Sequence, residues 1–238
     1  MPTGLQVKND DGEICIDEEY RNFTRKASGT ETTGSTSIGG TAGIYKAEIS
    51  VSSCNRPMIA LRSTVYVSVI GTEISGSTYK WIVASNTQSH TFDYWVFDAA
   101  ETISGDNFGF EVFNSSGDVV FHSGAKVMRI NTVYDAGTGG TTGNTLASGR
   151  TYAVIQGATG FRSRNFYQAV PNNYRYISYC AGHKFDGVTL YIPWPSIGLV
   201  MPTGAPLQVD DIVPSGTTTD VTYTPSTPKF IVIDVTNF

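Results

Sequence analysis

The sequence predicts an all-β protein, an antiparallel β-sandwich assembly built from hairpins and arranged as two lobes. Three observations predict it. Long helical periodicity is missing from the 238 residues. Short β-rich runs, each bounded by Gly, Pro, Asn or Asp, recur at regular spacing instead. Several of those runs also alternate with the period of two that a pleated strand imposes. Regular short strands with frequent turn residues favour sandwiches or barrels.

The runs follow one another from the start of the chain. Leu5 to Val7 and Glu13 to Ile16 form a first pair. Ile44 to Ser53, Met58 to Arg62, Val65 to Ile70, Tyr79 to Ala84 and Phe92 to Phe97 come next. Gly109 to Phe113, Val119 to Phe121 and Lys126 to Ile130 close the first half. The second half holds Tyr152 to Ile155, Tyr174 to Cys180, Thr189 to Ile192, Asp220 to Tyr223 and Phe230 to Val235. Within Tyr66 to Ile70, Val67 and Val69 point one way. In the last run Phe230, Val232 and Asp234 share one face, and Ile231, Ile233 and Val235 the other. Apolar residues on both faces mark a central strand rather than an edge.

Two stretches read as loops. Ser28 to Gly43 is almost entirely Gly, Ser, Thr and Ala, and Asp135 to Gly149 is similar. Both have linker composition. The second places a boundary: residues 1–134 form an N-terminal β-sandwich, 135–149 a linker or loop, and 150–238 a C-terminal β-rich lobe.

Composition narrows the function. Hydrophobic residues make up 40 % and charged residues 16 %, below the roughly 25 % charge usual for soluble domains. Polarity comes from Ser, Thr, Asn and Gly, a surface suited to assembly or to contact with sugars. The net charge is −5 and no basic patch stands out, so nucleic acid is not an expected partner. No apolar run is long enough to span a bilayer. Met1-Pro2-Thr3-Gly4 carries no charged, then apolar, leader, so synthesis and assembly in a cytoplasm are expected. Cys15, Cys54 and Cys180 are odd in number and far apart, which fits small buried thiols rather than a disulfide frame or a zinc site.

The most informative feature is an internal echo. Gly4-Leu5-Gln6-Val7-Lys8-Asn9-Asp10-Asp11-Gly12-Glu13 opens the chain, and Gly109-Phe110-Glu111-Val112-Phe113-Asn114-Ser115-Ser116-Gly117-Asp118 repeats its pattern. Asn9 and Asn114 are expected to start tight turns through side-chain bonds to nearby N–H groups. Gly12 and Gly117 are expected to take the left-handed position of a type I turn with a G1 bulge. The acids at the first corner lack the ligand alternation of a calcium loop, and the second copy has serines there. No metal site is expected.

These residues resemble a family of small tail proteins of tailed bacteriophages. Its members open with Gly-Leu-x-Val-x-Asn-x-x-Gly, which Gly4 to Gly12 matches. They carry a later block that here reads Tyr94-Trp95-Val96-Phe97-Asp98, Gly109 to Phe121, and Lys126-Val127-Met128-Arg129-Ile130. The likeness covers about the first 130 residues, and Phe230 to Val235 fits a late strand of the same pattern. His122 departs from it, since Asp is usual there. The resemblance implies a structural virion protein at the tail tip, baseplate or tail-fibre attachment. It further implies other tail proteins as partners and a symmetric homo-oligomer, a trimer being favoured.

No catalytic residue and no cofactor is expected. Cys180 and His183 could form a thiolate dyad, but nothing around them matches a nucleophile motif. The acids Asp10, Asp11, Glu13, Asp17, Glu18 and Glu19 read as a solvated face, so a polysaccharide-degrading enzyme is the weakest alternative. A stronger alternative is a receptor- or glycan-binding module. Phe161, Arg162, Arg164, Tyr167, Tyr174, Arg175, Tyr176 and Trp194 mix aromatic rings with arginines, as sugar-binding and protein interfaces do. Host glycan or an outer-membrane protein would be the partner there.

Overall fold

A computed structural model describes residues 6–8, 10, 14–17, 21–36, 44–99, 109–135, 143–157, 161–168, 173–192, 199–203, 219–221 and 229–238. For Ile14, Cys15, Asp17 and residues 161–168, 173–180, 199–203 and 219–221 the description is of the backbone.

Every regular element among the described residues is a β-strand, as expected. The first eight are β1 (Gln6–Lys8), β2 (Ile14–Asp17), β3 (Phe23–Thr32), β4 (Tyr45–Val51), β5 (Met58–Arg62), β6 (Val67–Ser75), β7 (Thr78–Ser85) and β8 (Thr91–Ala99). Then come β9 (Glu111–Phe113), β10 (Val119–His122), β11 (Arg129–Asp135), β12 (Asn144–Thr145), β13 (Tyr152–Gln156) and β14 (Phe161–Gln168). The last six are β15 (Asn173–Cys180), β16 (Lys184–Asp186), β17 (Thr189–Tyr191), β18 (Leu199–Thr203), β19 (Thr219–Val221) and β20 (Lys229–Asp234).

The centre of the fold is a six-stranded antiparallel sheet in the order β11-β20-β13-β5-β8-β3. β20 lies between β11 and β13 because both its faces are apolar and both need cover. On one face Ile59, Leu61, Phe92 and Val96 meet Ala47, Ile49, Trp81 and Val83 of the sheet β4-β7-β6. Two sheets packed this way form a sandwich. Further along the same face, Tyr152, Val154, Phe230 and Val232 meet Phe185, Leu190 and Ile192 from the β16–β17 region. The opposite face collects Ala60, Trp95, Phe97, Ala153, Ile155, Ile233 and Val235, with Met128 and Phe238 packed against them.

The β16–β17 region is fastened to the sandwich by backbone and side chain together. Val67 N–H donates to the His183 carbonyl at 3.1 Å, and His183 N–H returns a bond to Val67 O at 3.0 Å. Arg62 donates to the carbonyls of Tyr152 and Gly187, and its guanidinium lies 4.8 Å above the Phe185 ring.

Three readings of the sequence change here. Ser28 to Thr32 is not loop but the second half of β3, laddered to β8 from Ser28↔Trp95 to Thr32↔Thr91. Its small residues suit the site: a Cβ on Gly29 would come within 3.0 Å of the Tyr94 hydroxyl. Residues 37–43 lie outside the described residues. The stretch 135–149 does not divide two sheets, since β11 before it and β13 after it both pair with β20. β12 lies within it, and 136–142 lie outside the described residues. Finally, Phe161–Gln168, absent from the runs picked out above, is β14.

Candidate functional site: matched hairpins and a four-stranded sheet

The two echoed segments form the same ribbon. In the first, Gln6, Val7 and Lys8 face Asp17, Ile16 and Ile14. In the second, Glu111, Val112 and Phe113 face His122, Phe121 and Val119. Each ladder slips at the same step, which leaves Cys15 in one and Val120 in the other as the extra residue. A bulge re-aims the chain and sharpens its twist, so the two ribbons bend at matching places.

The second corner is built as its residue types require. Asn114 Oδ1 accepts from Ser116 N–H at 3.0 Å and from Asp118 N–H at 2.8 Å. Gly117 N–H donates to Asn114 O at 3.0 Å, and Asn114 N–H donates to Asp118 O at 2.9 Å. Gly117 has φ of +81°. These are the bonds of a type I turn closed by a left-handed residue. Arg21 pairs with Asp118 at 2.5 Å. The hydrogen bond from Arg21, with a second from Asn114, holds the Asp118 carboxyl below its ordinary range. The corner residues Asn9 and Gly12 of the first ribbon lie outside the described residues.

The bulge in the second ribbon has a visible use. The Val120 carbonyl accepts from Asn22 N–H at 2.9 Å, which ties the ribbon to the chain entering β3. Val112, Val119, Val120 and His122 are buried behind it. Phe110 and Phe113 are half exposed, as is Val7 on the first ribbon at 38 %. Gly117→Ala is expected to cost about 1 kcal/mol, because a Cβ in the left-handed region meets its own backbone while nothing else lies within 4 Å. Amide exchange should quicken in β9 and β10 and stay unchanged in β13.

The aromatic and arginine residues singled out in the sequence fall in a four-stranded sheet, β18-β15-β14-β19. The register sorts them. Tyr167 is opposite Tyr174, Asn165 opposite Tyr176, and Phe161 opposite Cys180. Arg162 is opposite Tyr179, Arg164 opposite Ile177, and Phe166 opposite Arg175. Residues directly opposite share a face, and faces alternate along a strand. Phe161, Tyr167, Tyr174 and Tyr176 therefore belong to one face, and Arg162, Arg164 and Arg175 to the other. The four aromatic residues singled out in the sequence thus share one face, and the three arginines share the other with Phe166, Ile177 and Tyr179. Trp194 lies outside the described residues.

One pair in the fold resembles a nucleophile with its base, and sequence reasoning missed it because its members are far apart. Ser63 Oγ is 2.9 Å from His90 Nε2. The Ser63 hydroxyl already donates to Val65 O at 2.7 Å, so the imidazole must be the donor in this contact. Ser63 is buried, and burial lowers the pKa of His90. The pair braces a turn; it does not present a hydroxyl to a base. His183, weighed above as a base for Cys180, is wholly buried, with Nε2 at 3.2 Å from Leu61 O. The side chain of Cys180 lies outside the described residues. Among the described residues no group of three or more His, Cys, Asp or Glu is placed to hold a metal ion. No described helix is long and apolar enough to cross a membrane.

No family model, curated protein or solved structure matches the chain.

Proposed function

We propose that the chain is a non-catalytic structural protein of a tailed bacteriophage particle, seated at the tail tip, the baseplate or the tail-fibre attachment. Its two ribbons would dock on neighbouring tail proteins. The observation that carries this reading is the repeated, identically bulged ladder. A fold that keeps one bent ribbon twice, with apolar side chains exposed on each, presents matched docking elements rather than a cleft for chemistry. The low charge and the family resemblance of residues 1–130 support it. Immunogold labelling and mass spectrometry of purified virions are the test. Label confined to the tail end is expected; absence of the chain from intact particles refutes the proposal.

The sorted sheet favours a second reading, contact with host-surface glycan. Aromatic faces stack on sugar rings, and the register gathers four aromatic residues on one face. The full-length variant Tyr174→Ala/Tyr176→Ala should then lose binding to host cells while retaining its melting temperature. Equal binding by variant and wild type removes this reading.

A further inference from the structure

We infer that β11 is a self-association edge, on which a second copy of this chain adds its own β11 antiparallel across a two-fold axis. β11 terminates the six-stranded sheet, with β20 on one side and no strand on the other among the described residues. The outward backbone N–H and C=O groups of such an edge form a template for another strand. Native edges of this kind are usually short or protected by charge, yet β11 runs from Arg129 to Asp135 and is mostly exposed.

A bulge gives this edge an apolar patch. The ladder to β20 slips between Ile130 and Thr132, so Ile130 stands opposite Ile233 and Val133 opposite Ile231. Three residues apart, the two side chains nevertheless share a face. They are 56 % and 57 % exposed, and β-branched residues so placed gain most by meeting others across a strand pair.

A two-fold axis between Asn131 and Thr132 puts Ile130 of each copy opposite Val133 of the other. Each copy's extra residue, Asn131, then falls opposite Thr132 of the other, so this ladder needs no slip. Arg129 falls opposite the other copy's Tyr134, with Asp135 next along, and the positive end of each strand lies beside the negative end of its mate. Arg129 is held ready at the edge: its guanidinium donates to Thr236 O at 2.7 Å and lies 5.2 Å from the Phe238 ring. The sheet's other edge, β3, is a poorer mate. The first part of β3 is already bonded to Lys126 and Val127, and its exposed stretch is Ser28, Gly29 and Thr30.

This inference stands apart from where the protein is assembled, and its failure would leave the tail reading intact. Two measurements test it. Light scattering of the wild type should give an even-numbered oligomer. Ile130→Lys/Val133→Lys should halve it, a dimer to a monomer or a hexamer to a trimer, with the melting temperature kept because both residues are exposed. In parallel, the double variant Ile130→Cys/Val133→Cys, treated with oxidised glutathione, should form a covalent dimer. Directly opposite Cα atoms are roughly 4.5–5.5 Å apart, within the reach of a disulfide. Ile130→Cys alone should not cross-link above the wild-type background, since identical positions would sit roughly 10 Å apart. A monomeric wild type, an oligomer unchanged by the lysines, or no covalent dimer from the cysteine pair would each overturn the inference. The last result, with an odd ring that the lysines disrupt, would point to pairing of β11 with β3.

Discussion

Acidification from neutral pH to about pH 4 is expected to remove about 3 kcal/mol of folding stability through His183 alone. The ring is fully buried, with Phe185 and Phe230 edge-on to it. Burial drives its pKa from 6.5 down to about 4, against a smaller opposite effect of its bond to Leu61 O. The neutral ring donates through Nε2, and Nδ1 has no partner among the described residues. In the folded protein His183 therefore stays neutral where an unfolded chain would already bind a proton. Stability is fully present above pH 6.5 and falls as pH drops toward about 4.

Carboxylates also contribute to acid unfolding, so the measurement must isolate the histidine. Asp234 is pulled up by burial, yet bonds from Thr236 and Arg150 hold it below its ordinary range. Its share is lost only as pH falls through that lowered value. Denaturant midpoints should be compared for wild type and His183→Gln, whose amide can still donate to Leu61 O. The variant should be markedly flatter between neutral pH and about pH 4.5. Parallel slopes would show that His183 is not the group responsible.

The second large effect is expected at Phe230. Its side chain is fully buried against Tyr152, Phe185 and Leu190. Phe230→Ala removes a ring from a packed core and should cost about 3–5 kcal/mol. The consequence should not stay in the C-terminal lobe. β20 bridges β11 and β13, and β13 continues the sheet into β5 and β8. Trp81 and Trp95 lie in the two clusters on opposite faces of that sheet. Their fluorescence should follow the same lowered transition as far-ultraviolet circular dichroism. Two separated transitions, with the tryptophan signal unmoved, would mean that residues 1–134 fold as an independent unit.

How much of this was legible beforehand depends on what each residue encodes. Phe230 to Val235 was readable as a central strand because two apolar faces leave few alternatives, and the structure places it there. The second corner was readable because Asn and Gly have local chemistry that fixes a turn. β3 was hidden, since Ser28, Gly29, Thr30 and Thr32 carry no apolar signal and owe their strand to β8. The split of aromatic and arginine residues was hidden for another reason. Phe161 to Tyr167 and Tyr174 to Tyr179 each alternate along their own strand, and only cross-strand register decides which residues of the two share a face. The exposed pair Ile130 and Val133 depends on a bulge, which spacing alone does not reveal. Ser63 and His90 meet through tertiary packing of two turns, and nothing local to either announces it.

The place of β20 also constrains the order in which the molecule can be completed. Of the six strands in its sheet it is the latest in the chain, yet it fills an inner slot, with Arg129↔Asp234 on one flank and Tyr152↔Asp234 on the other. Until it arrives, β11 and β13 hold open edges toward each other across a gap one strand wide. Such distant closure carries a high entropic barrier, which puts folding on the slow side, in roughly milliseconds to seconds. A nascent chain would expose sticky β-edges throughout that wait, so its yield in a crowded cell should depend on chaperones shielding them.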